Sequence, residues 1–411
     1  MKTVVYESIQ EINPAEWDAL DDGNPFQSHA FFSALELSQS VGPNTGWIPL
    51  YFTLQNDVSP EASATSPRDE SVPLNTQRQE IVACAATFLK GHSMGEFVYD
   101  FSWAKEAERY GIQYYPKLVI TSPFSPVTGG RIHGRSRDAK ATLVEEIVAF
   151  SRSMGCAGVH VLFHELDERD SSPDHGDNAP ERSYQSPIIQ ENFALRTSFQ
   201  FQWENQNYGC FDDFLAKLRS RRRKEIRRER RALQDQGVNL QAIPGSELTA
   251  EDARRIADFY RGTCDRYTWG NAYLAADFFR ILIEKIPGNI TFFAAIKDGK
   301  TIAGAFCLHS DTHLYGRYWG YAEHVPFLHF ETCLYTPIEW AIVRGIKVFE
   351  PGAGGDHKFS RGFLPTKTYS SHQHFHPGFN AALKRFCSAE AIAVEEEIST
   401  LLIAESPYQR G

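Results

Sequence analysis

The sequence contains no run of 18 or more apolar residues, no CxxC pair and, in its opening MKTVVYESIQEINPAEWDAL, no apolar stretch of the kind a secretion signal needs. The first absence excludes a membrane-spanning helix. The third makes export unexpected, so a cytoplasmic location is the expectation. Seven cysteines (Cys84, Cys156, Cys210, Cys264, Cys307, Cys333 and Cys387) are odd in number and scattered. They fit reduced, mostly buried thiols and exclude a disulfide framework or a zinc-ribbon site. Positive charge is also short overall: 42 Lys and Arg stand against 52 Asp and Glu, a net charge of -10. A protein that coats DNA with its whole surface is excluded, and any basic site is local.

What is present is ample core material, 42% hydrophobic and 13% aromatic residues in a chain of 411. That length exceeds a single core, so two domains of about 150 to 200 residues are expected. Two stretches rich in Pro, Ser, Asp and Asn, residues 56–79 and 167–187, carry too little apolar surface to repay ordering and are read as surface insertions. Elsewhere strand and helix patterns alternate. IPLYFTL, EIVACAATFL, KLVITS and GVHVLF read as strands, and DAKATLVEEIVAFSRSMG as a helix ending in glycine. In the second half TAEDARRIADFYRGTC and NAYLAADFFRILIEKI read as helices. A hairpin turning at Asp298-Gly299 follows, then a strand over THLYGRYWGYA, a helix over HFETCLYTPIEWAIVRG and a strand over IKVFEPG. The C-terminal FNAALKRFCSAEAIAVEEEISTLLIA reads as a further amphipathic helix. The expectation is an α/β protein made of two copies of one topology, residues 1–200 and 201–411, the second opening with a basic helix.

Several motifs in order carry a resemblance: KGHSMGEFVYDFSWA (90–104), YYPKLVITSPFSPVTGGR (114–131), FDDFLAKLRSRRRKEIRRERR (211–231), LYGRYWG (314–320) and EPGAGGDHKFSRGFLPTKTYSSH (350–372). Together with NPFQSHAFFSALE, GWIPLYF and FLHFETCLY they resemble the Fem-type family described as peptidoglycan biosynthesis/recognition, within the GNAT N-acyltransferase superfamily. The resemblance spans nearly the whole chain apart from the two insertions. It implies two tandem GNAT-like domains around a central cleft. The implied activity is transfer of an acyl group from an acyl-CoA donor such as acetyl-CoA to a small-molecule or peptide amine. It also leaves open an aminoacyl-tRNA donor acting on a peptidoglycan precursor, and a non-catalytic role in recognising cell-wall fragments.

The stretch from Lys217 to Arg231 carries ten basic residues against Glu225 and Glu229. Three readings compete for it. One is a solvated helix paired to its own glutamates; another is an anion site in which Arg222 and Arg223 hold donor phosphates; the third is contact with a tRNA backbone. No aromatic residues interleave with the arginines, so base stacking on DNA or RNA is not expected.

In the first half, Gly129, Gly130 and Arg131 lie in a glycine loop before a helix, the form that binds CoA pyrophosphate. The equivalent stretch YAEHVPFLHFE in the second half has no glycine. Amine acylation needs a proton acceptor and an oxyanion donor. Glu350, at the end of a buried strand before a glycine-rich turn, is the expected base, with His357 and Tyr318 as further candidates for proton transfer. Lys358 and Arg361 match a Lys-Phe, then glycine, motif that the resemblance places near the substrate. Arg317 shares a strand face with Tyr315 and Trp319, opposite Tyr318, if the strand is regular. His92, Glu96 and Asp100 align at i,i+4 if their segment is helical, and with Tyr115 and Lys117 they are expected to line the opposite wall of the cleft. His329 and Cys333 lack further ligands for a metal, and no metal site is expected.

Overall fold

A computed structural model describes residues 1–57, 79–166, 192–266 and 271–409. The expected insertions at 56–79 and 167–187 lie outside these residues, apart from Asn56, Asp57 and Gln79 at two strand ends. The first half runs β1 (Lys2–Tyr6), α1 (Pro14–Asp18), α2 (His29–Leu37), β2 (Trp47–Asp57), β3 (Gln79–Lys90), α3 (Phe101–Arg109), β4 (Lys117–Ile120), β5 (His133–Gly134), α4 (Arg137–Ser153), β6 (Gly158–His164) and β7 (Ala194–Glu204). The second runs α5 (Phe211–Lys217), α6 (Ser220–Gln234), β8 (Asn239–Pro244), α7 (Ala250–Asp265), α8 (Ala276–Lys285), β9 (Ile290–Lys297), β10 (Lys300–His309), β11 (His313–Tyr321), α9 (Leu328–Phe330), α10 (Thr336–Val343), β12 (Val348–Glu350), β13 (Leu364–His374) and α11 (Pro377–Glu405).

Local chemistry explains many of these boundaries. Ser136 caps α4 by accepting from the Ala139 amide at 3.1 Å, and Thr249 with Asp252 forms a reciprocal capping box on α7. The hairpin between β9 and β10 turns at Asp298 and Gly299, both at positive φ (50° and 73°), the conformation a two-residue turn of matching twist needs.

The strands form one sheet in the order β1-β2-β3-β4-β6-β13-β7-β12-β11-β10-β9-β8, with β5 paired to β3. Each half contributes the same run, three antiparallel pairings followed by one parallel pairing: β1 through β4 to β6, and β8 through β11 to β12. The two closing strands then cross. β7, which ends the first half, pairs with β12 of the second; β13, which ends the second, pairs with β6 of the first. They also pair with each other over nine residues. The halves are therefore joined through continuous backbone hydrogen bonding. They also share a core: α1 and α2 pack with α7 and α8 in one apolar cluster, in which Phe31 meets Phe278 edge-on at 5.9 Å.

Candidate functional site

In each half the parallel pair is short. β11 and β12 are in register only from His313 to Tyr315 and Val348 to Glu350, after which β11 continues to Tyr321 while the chain turns away through Pro351. The two strands therefore part after Glu350. β11 also carries a bulge, because Phe306 pairs with Tyr318 but Cys307 with Gly316, leaving Arg317 unmatched. The extra residue reverses the alternation of faces. Tyr315 and Tyr318 enter the same core, and Trp319 lies on the other side, which corrects the expectation that Tyr315 and Trp319 share a face opposite Tyr318. Tyr318 consequently faces the aromatic helices, where burial pushes its hydroxyl up to about 12. It meets Ser125 of the first half at 3.3 Å, away from His357.

Glu350 ends β12 with its carboxyl buried. Desolvation raises its pKa, opposed by Arg317, whose Nη2 donates to it at 3.1 Å. The same carboxylate oxygen accepts from the Thr128 amide of the first half at 3.4 Å. Arg317 further donates to the carbonyls of Gly316 and Glu350. Glu350 thus pins the bulged strand and the first-half loop to each other.

The turn that follows has Gly352, Gly354 and Gly355 at positive φ (97°, 66° and 89°), where a side chain would be strained. It delivers His357, Lys358 and Arg361 beside α9. Arg361 donates to Tyr335 Oη at 2.7 Å and to Glu229 Oε1 at 2.8 Å, and Tyr335 donates to the same glutamate. Lys358 is buried, 5% exposed, yet its ammonium has only main-chain acceptors among the described residues: Gly352 O at 2.6 Å and Ala353 O at 3.4 Å. Burial, then the neighbouring Arg317 charge, pushes it down to about 8. His329 packs between Trp319 (ring centroids 4.9 Å apart) and His357 (5.4 Å) and is pushed down to about 4 by burial and the adjacent cationic groups. His357 Nε2 is buried without a partner among the described residues, and the ring is held neutral by burial, Lys358 and Arg361. A buried cation and two neutral imidazoles can hold a developing oxyanion and accept a proton.

The first-half residues assemble around Lys117. Its ammonium donates to Ser93 Oγ (2.8 Å), Glu96 Oε2 (2.8 Å) and Asp100 Oδ2 (2.6 Å), with Tyr114 donating to Asp100 and Tyr115 meeting Ser93. Glu96 and Asp100 do not reach this point from a shared helix. The chain from Gly91 to Tyr99 is irregular, and α3 starts only after Asp100, so the i,i+4 alignment is replaced by a loop folded over the end of β4. His92 sits apart, its Nδ1 accepting from the Met94 amide. Burial pushes Glu96 up to about 7, while Lys117 and His160 hold Asp100 well below the carboxylate range despite burial. No hydrogen bond or ion pair among the described residues joins this cluster to Glu350, Lys358 or Arg361.

His160, His164 and His372 line the neighbouring strands β6 and β13, fully buried and neutral, His164 pushed down to about 4 by burial from its ordinary 6.5. Such a group binds its proton in the unfolded chain first, so the stability it contributes is complete above 6.5 and is lost as pH falls towards 4. Urea unfolding should therefore show a free energy that drops between pH 6.5 and 4 by up to about 1.4 kcal/mol per pH unit for each of these histidines. A flat profile over that window would show that they are not buried neutral.

The glycine loop does not present free amides. The Gly129 amide donates to Phe163 O at 3.2 Å and that of Gly130 to Asp22 Oδ2 at 3.1 Å. Arg131 is buried with its guanidinium on the carbonyls of Leu162, Gly130 and Val127. Here the donors of Gly129, Gly130 and Arg131, expected to bind an anion, hold the loop together. Arg222 pairs with Glu225 at 3.1 Å, and Arg223 reaches the carbonyls of Ala216 and Leu218 at the end of α5. Four other cations on α6 (Arg221, Lys224, Arg228 and Arg231) are exposed and have no carboxylate partner among the described residues. Their spacing of three, seven and ten residues places them on one stripe, opposite Ile226, Glu229 and Leu233. Glu229, expected as a solvated partner of the helix's own arginines, is buried on its apolar face, where its spacing with Ile226 and Leu233 was the signal; only the fold reveals Arg361 as its partner.

The family described as peptidoglycan biosynthesis/recognition, FemAB-like, matches residues 8–410. No curated protein sequence matches the chain. Among solved structures, FemX is 11% identical with a TM-score of 0.50, covering 93% of this chain and 100% of its own. A conserved protein of unknown function from Bacteroides thetaiotaomicron is 11% identical at a TM-score of 0.48, with 90% and 100% covered. A tandem GNAT protein from the clavulanic acid biosynthesis pathway is 8% identical at 0.41, with 91% and 98% covered. The likeness to FemX is one of fold, in keeping with two GNAT-like domains.

Proposed function

Because the chain belongs to the FemAB-like peptidoglycan biosynthesis/recognition family, we propose that it is a transferase that moves an acyl group, delivered as an ester on RNA, onto an amine of a cell-wall precursor. The observation that carries this reading is Lys358, a buried ammonium with no carboxylate partner among the described residues, beside the parted strands β11 and β12. A buried charge without a counter-ion is expensive, and it is retained where chemistry uses it. In the transfer the amine nitrogen bonds to the acyl carbon, the ester C–O bond breaks, and the amine's proton ends on the departing alcohol. Lys358 holds the oxyanion of the tetrahedral intermediate. His357, neutral and with Nε2 unpartnered, accepts the proton; this role passes to it because the Glu350 oxygen facing the loop is already paired with Arg317.

RNA is favoured over CoA as the carrier by the stripe of Arg221, Lys224, Arg228 and Arg231, on the outer face of the helix whose inner face touches Arg361 through Glu229. The engaged amides of Gly129 and Gly130 support the same choice. Incubation with charged tRNA and a peptide amine should give acyl transfer that ribonuclease abolishes; transfer from acetyl-CoA that survives ribonuclease would overturn the RNA reading. Replacing the four stripe residues with glutamine should weaken tRNA binding by at least about ten-fold at low salt and flatten its salt dependence by about three to four in log–log slope.

A further inference from the structure

Two loops of the first half bring three metal-ligating side chains together outside the Lys358 site. Asp21 and Asp22 follow α1, and His133 opens β5. Each offers one ligand atom, and these atoms all lie within 4.8 Å of one another. We propose that Asp21, Asp22 and His133 bind a divalent transition-metal ion, of the Mn2+ or Zn2+ class.

The argument rests first on His133. It is 4% exposed, its Nε2 has no partner among the described residues, and its Nδ1, the nitrogen that faces the carboxylates, stands 4.0 Å from Asp21 Oδ1, beyond hydrogen-bond range. An imidazole buried without a hydrogen bond is costly. Two ligands of one ion held at about 2.1 Å lie roughly 3 to 4 Å apart, so the 4.0 Å gap that is too long for a hydrogen bond suits a shared metal.

The carboxylates are already oriented. Asp22 accepts from the amides of Asn24 and Gly130, one on each oxygen, both at 3.1 Å. Asp21 Oδ1 accepts from the Asp22 amide at 2.7 Å. Each oxygen keeps a lone pair for an ion, and the amide bonds set its direction. Two adjacent carboxyls, one of them with its side chain only 6% exposed, crowd each other. A doubly charged ion relieves that repulsion.

Gly130 completes the case. A Cβ there would lie 2.9 Å from His133 Cε1 and 3.0 Å from Asp22 Oδ2, so the glycine lets the backbone close on two of the three ligands. Imidazole with two carboxylates suits Mn2+, Fe2+ or Zn2+ better than Mg2+ or Ca2+. Asp22 is exposed, which gives the ion a way in and leaves positions for water or a substrate oxygen. The ion would tie the loop after α1 to the loop whose Thr128 amide contacts Glu350.

The test uses the full chain, stripped with chelator and titrated with Mn2+, Zn2+ and Co2+ by calorimetry, with bound metal counted by mass spectrometry. One ion per chain and a metal-dependent rise in melting temperature are expected. Asp22→Asn and His133→Gln, close to isosteric, should weaken binding by at least about ten-fold, and the visible Co2+ spectrum should lose its nitrogen-ligand shift in His133→Gln. Wild-type protein that binds none of the three ions, or binds them as tightly in both variants, overturns the site. If either variant fails to fold by circular dichroism, the wild-type stoichiometry and Co2+ spectrum decide alone.

Discussion

Lys358→Met should lower the rate of acyl transfer by about 100- to 1,000-fold, the range lost when a single oxyanion donor is removed, while stability stays level or rises. The two effects point in opposite directions for one reason. The ammonium is 5% exposed and held only by the carbonyls of Gly352 and Ala353, so the folded protein bears a desolvated charge that methionine would not carry. Function and stability then trade against each other, as they do where a site is built at the expense of the fold. Single-turnover kinetics and urea unfolding on the same preparation test this. A variant that loses stability and activity together would make Lys358 a structural residue. A pH signature accompanies the substitution. The ammonium, pushed down to about 8, is protonated below that value, so transfer should decline as pH rises through it.

Lys117→Met should behave in the opposite way, costing about 3 to 5 kcal/mol of stability, the loss typical when one partner of a buried ion pair is removed. Two carboxylates depend on that ammonium, Glu96 at 2.8 Å and Asp100 at 2.6 Å, all three side chains almost wholly buried. Burial disfavours the ammonium, but Glu96 and Asp100 outweigh it and raise its pKa. The neighbouring Lys90 provides the control. It stands 3.8 Å from Glu96, lies over the Trp47 ring at 3.3 Å and is pushed down to about 7 by burial. Lys90→Met should therefore cost little, since less charge is uncompensated when it goes. Denaturant unfolding of the two variants side by side is the measurement, and equal losses would show that the cluster does not depend on Lys117.

Strands with apolar alternation and helices with capping residues were legible because their signals are local: β2, β3, β4, β6 and the β9–β10 hairpin all follow from their own side chains. β13 was not. LPTKTYSSHQH reads as polar, yet it lies in the middle of the sheet with Ser370, Ser371, His372, Gln373 and His374 all buried. Three of its polar groups find partners on the neighbouring strand β6: His372 with His160, Ser371 with His164, and Ser370 with the Phe163 amide. A pattern of period two tells which face is apolar; it says nothing when the opposing strand supplies the hydrogen bonds.

The candidate site divides in the same way. Composition and motif were enough for an α/β protein of two like halves, for a basic helix at the start of the second, and for the neighbourhood of Glu350, Lys358 and Arg361. The bulge at Arg317, which brings Tyr318 to the same face as Tyr315, depends on the register with β10 and leaves no local trace. Whether a charge is free or spent is likewise decided by residues far along the chain. Arg361 is neutralised by Glu229, 132 positions earlier, and Glu350 meets the Thr128 amide, 222 positions away. By itself the sequence determined where the segments with an apolar pattern form strands and helices and where cationic and acidic groups are concentrated, since those follow from neighbours in the chain. Only the tertiary structure decided which of those charges are compensated, because Coulomb and desolvation energies depend on distance and burial in space.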